Sequence, residues 1–96
     1  MIRPRKFRQL RGVPAADYFK PAGIPLRMLQ EVTLHADEFE AIKLHEIDEL
    51  KQIDAAEKMG ISQPTFARIL QNAHNKVARA LVHGHAIRIE KNISEE

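Results

Sequence analysis

A set of side chains able to read nucleic-acid bases recurs at helical spacing in the middle of the chain. Gln63 and Gln71 can each form paired hydrogen bonds with adenine, and Arg68 can do the same with guanine. Ala67 can contact a thymine methyl group, and Pro64 lies near the start of the same segment. These residue types at this spacing favour recognition of base edges in the major groove of double-stranded DNA.

A second set of side chains suits phosphate groups rather than bases. Such hydroxyl, amide and cationic groups position a protein on DNA without reading its sequence. Around the same segment they are Gln52, Ser62, Thr65, Asn72, Asn75 and Lys76. Near the start of the chain they are Arg3, Arg5, Lys6 and Arg8. The basic arm that holds these last four could alternatively enter a minor groove.

The spacing of three residues predicts the elements that would position these side chains. Ala56 is followed four residues later by Gly60, and Phe66 comes six residues after that. Two steeply crossed helices need a small residue at their contact and a glycine where the backbone turns left-handed. Ser62 can cap the second helix through its side-chain oxygen. We therefore predict a helix-turn-helix over residues 52–71.

The second helix of this motif has the clearest periodicity in the chain. Its apolar residues step by three, one, three, four, three and one positions, which places them in one sector covering about a third of a helix. They are Phe66, Ile69, Leu70, Ala73, Val77, Ala80 and Leu81. We predict a first helix over about 51–59 and a second over about 63–82. A packed helical pair with a merely polar outer face is the alternative interpretation.

The N-terminal thirty residues are predicted to be a basic arm followed by a Pro-rich connection. Residues 1–12 suit an arm or a short strand. Residues 13–25 hold three prolines and a glycine, which predicts an ordered, nonhelical segment. Within it, Tyr18 and Phe19 are expected to anchor onto the core.

A further helix is expected from about residue 31, because acidic residues at 37, 38 and 40 suit the positive end of a helix dipole. Its apolar stripe would consist of Phe39, Ile42 and Ile47. After Gly84, alternating side chains predict a short strand over 85–91. A lone strand is unstable, so we expect it to pair with the strand-like segment at 7–10, in the same chain or in a second copy.

The fold class is therefore predicted as mainly α, a single structural domain with a basic arm and connection over 1–30 and a helix-turn-helix with a C-terminal strand over 31–96. One module of this size covers little DNA. We therefore expect a homodimer or a higher homo-oligomer that reads two half-sites.

The composition argues against several classes of protein. No run of about 18 apolar residues suits a membrane span, and the basic N-terminus lacks the apolar stretch of a secretory signal, so we expect a soluble cytoplasmic protein. The absence of cysteine excludes disulfides and Cys-based zinc sites. There is no glycine-rich phosphate loop and no paired His and acid beside a serine, so neither an enzyme nor a cofactor is predicted. The close pair His83 and His85 lacks a third ligand, and no metal site is expected.

Charge is strongly segregated along the chain. Residues 1–30 hold seven Lys or Arg against one acid, whereas residues 31–60 hold three against nine. The basic arm suits a polyanion such as nucleic acid. The acidic segment leaves a second hypothesis open, a protein-interaction module in which the helix over 37–49 binds a basic partner. A third, binding to structured RNA, would use the same arm with Tyr18 as the stacking aromatic.

Five segments together resemble a family of small predicted DNA-binding proteins, uncharacterised protein family 0251 or domain of unknown function 134. They are RPRKFR at 3–8, YFKPAGIPL at 18–26, DEFEAIKLHEID at 37–48, AAEKMGISQPTFARIL at 55–70 and KVARALVHGHAIRI at 76–89. The family's motif is similar to the promoter-reading fourth region of sigma factors. The resemblance implies DNA binding and a role in transcription regulation.

Overall fold

The computed structural model describes residues 15–91. In that part of the chain, three α-helices pack beside a three-stranded sheet, so the protein is mainly helical, as predicted. In chain order the elements are β1 (Tyr18–Phe19), a 3-10 turn (Leu26–Met28), β2 (Glu31–Leu34), α1 (Ala36–Ile42), a π-helical turn (Lys43–Ile47), α2 (Gln52–Met59), α3 (Gln63–His83) and β3 (Ala86–Ile89). The predicted bounds of α2 and α3 are confirmed to within one residue.

The sheet is built around the C-terminal strand. β3 lies in the centre, antiparallel to β1 and parallel to β2. Arg88 is opposite Tyr18 on one side and Thr33 on the other. Parallel strands cannot be joined by a tight hairpin, and here all three α-helices lie in the connection between β2 and β3.

The predicted partner of the C-terminal strand and the predicted start of the first helix need correction. β3 pairs with β1 and β2, while residues 7–10 lie outside the described part of the chain. The helix begins at Ala36 rather than near residue 31, because the segment before it forms β2. Its sequence, Glu-Val-Thr-Leu, alternates with the period of a strand, and Val32 and Leu34 lie opposite the isoleucines of β3.

Three apolar residues predicted to be buried are exposed instead. Phe19 is 54% exposed because it lies on an edge strand of only two residues. Ile47 is 71% exposed, since the switch from α to π hydrogen bonding at Lys43 rotates the following side chains, and Leu44 takes the buried position. Leu81 is 77% exposed at the margin of the apolar sector, in the last turn of α3.

The core consists of two clusters that share α3. One lies among α1, the π-helical turn, α2 and α3, and its largest fully buried side chain is Phe66. The other lies between α3 and the sheet, where Ala73 meets Leu34 and Ile89. Because one face of α3 contributes to both clusters, the helix has a fixed orientation relative to the rest of the fold.

A buried carboxylate connects the sheet, α1 and α3. Glu38 is only 6% exposed, and its Oε1 accepts hydrogen bonds from Lys76 Nζ and from the His35 backbone N–H, each at 2.8 Å. Lys76 Nζ also donates to the carbonyl oxygen of Thr33, at the end of β2, at 2.7 Å. The ion pair therefore satisfies a buried charge and joins three elements at one point.

An exposed group of side chains joins the three strands on the outer face of the sheet. The Arg88 guanidinium donates two hydrogen bonds to Glu31, at 3.1 and 2.9 Å, and lies 4.9 Å from the centroid of the Tyr18 ring. Tyr18 donates from its hydroxyl to the same carboxylate at 2.6 Å. These hydrogen bonds, first from Arg88 and then from Tyr18, hold the pKa of Glu31 below its ordinary value.

We predict that Lys76→Ala lowers the free energy of unfolding by about 2–3 kcal/mol. The substitution leaves the Glu38 carboxylate buried without its cation, and the loss is below that of a fully buried pair because Lys76 is partly exposed. Urea denaturation followed by circular dichroism measures it. Lys58→Ala, on the exposed side of α2, is the matched control and should change stability by no more than about 0.5 kcal/mol. Equal effects of the two substitutions would contradict the role assigned to the ion pair.

Candidate nucleic-acid interface

The turn between α2 and α3 forms because a glycine takes up a left-handed conformation. Gly60 has a φ of 73°, which L-residues with a side chain adopt at a cost. Its N–H donates to the carbonyl of Glu57 at 3.0 Å, and the N–H of Ile61 donates to the carbonyl of Ala56 at 3.0 Å. These bonds satisfy the last carbonyls of α2 and reverse the chain within three residues.

The residues predicted to fix the packing of the two helices lie together in the core. Ala56 is 2% exposed, and Phe66 is completely buried in the same cluster. A larger residue at position 56 would separate the helices, because interiors are packed too closely to absorb extra atoms. The small residue and the aromatic residue thus occupy the positions that their spacing predicted.

The start of α3 is capped by a side chain. Ser62 Oγ accepts a hydrogen bond from the Thr65 backbone N–H at 3.2 Å and donates to Thr65 Oγ1 at 2.9 Å. Pro64 follows in the first turn, where its missing N–H leaves no backbone bond unmade. The predicted N-cap is confirmed, and it fixes the direction in which the first residues of α3 project.

The predicted base-reading residues lie on one side of the N-terminal half of α3. Gln63, Pro64, Arg68 and Gln71 are exposed, and Ala67 between them is half-buried. Among residues 15–91 no ion pair or side-chain hydrogen bond engages the guanidinium of Arg68. The structure therefore brings all five residues to one exposed surface.

The predicted phosphate-binding residues are less uniform. Ser62, Asn72 and Asn75 are exposed, whereas Gln52, at the start of α2, and Thr65 are half-buried. Lys76 differs from the others because its ammonium group is already held by Glu38 and Thr33. Arg3, Arg5, Lys6 and Arg8 lie outside the described residues.

The charge of this surface follows from the lack of acidic residues in α3. None of its 21 residues is acidic, whereas eight acidic residues lie between positions 37 and 57. Two of the eight approach α3, since Glu38 binds Lys76 and Glu46 Oε2 lies 2.9 Å from His74 Nε2. Sequence reasoning missed this contact, because nothing local indicates that the π-helical turn reaches His74.

One basic residue beside the interface was also missed. Lys51 is exposed and immediately precedes α2, whose first amides receive no hydrogen bond from a capping side chain. Helix N-termini with free amides favour anions. Its position directly before Gln52 is the sequence signal that could have identified it.

His83 ends α3, and His85 follows it just before β3. The rings of His83 and His85 lie 5.6 Å apart between centroids and are tilted by 34°. Within residues 15–91, no three His, Cys, Asp or Glu side chains are placed so that they could hold a metal ion together. In the same part of the chain, no helix has the length and apolar character needed to cross a membrane.

Comparison with known sequences assigns the chain to a family. The family described as "Protein of unknown function DUF134" matches residues 1–93. The chain belongs to this family. A UPF0251 protein of Desulforudis audaxviator is 56% identical over 90 residues, which cover 94% of this chain and 59% of that protein. A UPF0251 protein of Caldanaerobacter subterraneus is 51% identical, with coverage of 94% and 76%.

A third relative, the UPF0251 protein of Moorella thermoacetica, is 52% identical over 94% of this chain and 60% of its own length. The DUF134 chain thus spans about three-fifths of the Desulforudis and Moorella relatives. No solved structure gives a significant match.

We predict that Gly60→Ala lowers the free energy of unfolding by about 1–2 kcal/mol. A Cβ at this position would meet no atom within 4 Å, so the loss comes from the left-handed backbone alone. Gly60→Asn is the matched comparison, since Asn tolerates this conformation better and should cost less than Ala. Thermal unfolding of the two variants measures the difference. No loss in either variant would mean that the turn does not depend on the left-handed residue.

Proposed function

We propose that this DUF134 protein binds double-stranded DNA sequence-specifically and acts as a transcription regulator. In this proposal α2 and α3 form a helix-turn-helix, and the N-terminal half of α3 lies in the major groove. The observation that carries it is the exposed, acid-free face of α3, which begins at a capped helix start and is backed by the buried Phe66. Base recognition needs such a rigidly mounted row of polar side chains.

The distribution of charge supports this orientation. DNA repels carboxylates, and α3 has no acidic residue of its own; the Glu46 carboxylate reaches it only at His74, beyond the reading residues. The acidic residues of α1 and the π-helical turn lie on other elements, and Lys43 pairs with Asp48 there at 2.7 Å. The basic arm, Lys51 and the exposed amides of α3 provide the complementary positive and hydrogen-bonding groups.

The proposed roles divide into specificity and affinity. Gln63, Pro64, Ala67, Arg68 and Gln71 face the bases, with Arg68 and the two glutamines as the hydrogen-bonding readers. Gln52, Ser62, Thr65, Asn72 and Asn75 face the phosphates. The proposal does not rely on Lys76, because a phosphate contact would compete with its ion pair to Glu38.

The proposed oligomeric state and cellular location follow from the proposed DNA binding. A single module of this size reads a short half-site, so tight specific binding calls for a homodimer or a higher homo-oligomer. We place a regulator of this kind in the cytoplasm, because a protein that binds DNA must share its compartment.

One observation favours a second candidate, a protein-interaction module built on residues 37–49. Ile47 is 71% exposed between Glu46 and Asp48, a surface that suits a basic partner with an apolar side chain.

The structured-RNA alternative loses support, because the Tyr18 ring needed for stacking is covered by Arg88 and held by Glu31. A mobility shift of nonspecific duplex that weakens steeply as the salt concentration rises would favour DNA binding over the protein-interaction module. If the duplex does not shift even at low salt, the protein-interaction module is favoured.

We predict that Arg68→Ala removes discrimination at one base position, at a cost of about 1–3 kcal/mol for the preferred sequence. Selection from a random duplex pool supplies the preferred site, and titration of single-base variants measures the discrimination. Arg27→Ala removes the same charge from the exposed 3-10 turn and should leave discrimination unchanged. If Gln63→Ala and Arg68→Ala combined leave DNA binding intact, α3 does not read the groove.

We predict a different result for the basic arm. Replacing Arg3, Arg5 and Lys6 by Ala should weaken binding to all duplexes and reduce the slope of log affinity against log salt by about 3, since about one counterion is lost per phosphate contact. The control is the triple variant of Lys20, Arg27 and Lys58, which has the same change in net charge. Equal slopes for the two triple variants would exclude direct phosphate contacts by the arm.

A further inference from the structure

The outward side of α3 changes character along the helix. Its last turns carry the most exposed large apolar side chains of the described residues, Leu81 and Val82, each 77% exposed. Ala78 beside them is also exposed. At about 100° per residue these three lie on the same side of the helix as Gln63 and Gln71. The side that carries the polar Gln63 and Gln71 in the N-terminal half is therefore apolar at the C-terminal end of the helix, from Ala78 onward.

We propose that this apolar end of α3, formed by Ala78, Leu81 and Val82, pairs with the same surface of a second copy of the chain about a two-fold axis. A two-fold contact needs only one self-complementary surface, and apolar side chains without a charged partner meet that requirement. Arg79 lies at the edge of this surface, about 60° around the helix from Val82, and His83 lies about 100° from Val82.

The size of the surface favours a second copy over an unrelated partner. A standard stable interface buries about 800 Å² on each side, far more than two large side chains provide. So small a surface holds a partner firmly only when another contact keeps the two molecules close. Two copies bound to adjacent half-sites of one duplex are in that situation, because the DNA raises their effective concentration.

The distance between the apolar surface and the reading residues is compatible with the spacing of such half-sites. This comparison rests on the proposed function. Ala67, in the middle of the reading residues, and Leu81 are 14 positions apart, which is about 21 Å along a helix. Two copies joined at the apolar ends therefore hold their reading segments at most about 42 Å apart, and closer when the helices are inclined. The separation of half-sites by one turn of DNA, about 34–36 Å, lies within this limit.

Single-cysteine variants test the contact directly, because the chain contains no cysteine of its own. Leu81→Cys and Val82→Cys are compared with Ile47→Cys, a matched control at an apolar residue that is 71% exposed on another element. Under mild oxidation without DNA, at least one of the two α3 variants should form a covalent dimer at least about tenfold faster than the control. Equal rates for the three variants would overturn the proposal.

A second measurement uses the wild-type chain and the double variant Leu81→Gln with Val82→Gln. Both replaced side chains are exposed, and glutamine is a good helix former, so the fold should persist in circular dichroism. Sedimentation equilibrium should show a wild-type dimer with a dissociation constant below about 1 mM, weakened at least about tenfold in the variant. A wild-type monomer at about 1 mM, or equal constants, would overturn the proposal. Neither experiment contains DNA, so their failure leaves the proposed DNA binding untouched, and loss of DNA binding alone leaves the dimer contact standing.

Discussion

The ion pair between Glu38 and Lys76 is the contact on which the arrangement of the layers depends. A carboxylate that is 6% exposed must be matched by a cation and by hydrogen bonds, and here the partners come from α3 and from the residue before α1. Since Lys76 also binds the backbone of Thr33, one ammonium group fixes the distance between β2 and α3. The apolar clusters on either side favour close packing, but the ion pair specifies which positions of the helix and the sheet face each other.

The apolar packing of α3 determines which side of the helix is exposed to a ligand. Phe66, Leu70 and Ala73 hold one side of the helix in two clusters, so the opposite side has no freedom to rotate into the core. If the helix were loosely held, binding through its long polar side chains would cost additional conformational entropy and weaken the affinity. Arg68 projects from a helix that is anchored before and after it, which is the structural condition for a discriminating contact with a base.

Sequence reasoning succeeded where the cause of a structure lies within a few residues. Gly60 and Ser62 act on neighbours within three positions, Ala56 meets Phe66 only ten positions later, and their spacing predicted the helix pair and its turn. Sequence reasoning failed where a structure depends on residues far away in the sequence. Glu31–Leu34 becomes a strand because β3, more than fifty residues later, offers a ladder of hydrogen bonds. The ion pair of Lys76 was missed because its partner Glu38 is 38 positions away. The exposure of Ile47 follows from a π-helical turn whose sequence contains no glycine or proline to indicate it.

α3 has polar side chains towards its N-terminal end and an apolar surface at its C-terminal end, and this division would separate the two tasks proposed for the helix, which would otherwise conflict. A large apolar side chain among the reading residues would meet phosphates and water, and an amide in a dimer contact would have to be buried with its hydrogen bonds satisfied. Along a single helix of 21 residues, Gln71 and Ala78 are seven positions apart, so the two chemistries are separated by about two turns. Because the helix is continuous and anchored by Lys76 between the two halves, a change in the angle between two paired copies would move their reading residues as rigid bodies. The spacing between half-sites would then be set by the helix itself and by the angle at which the apolar ends meet.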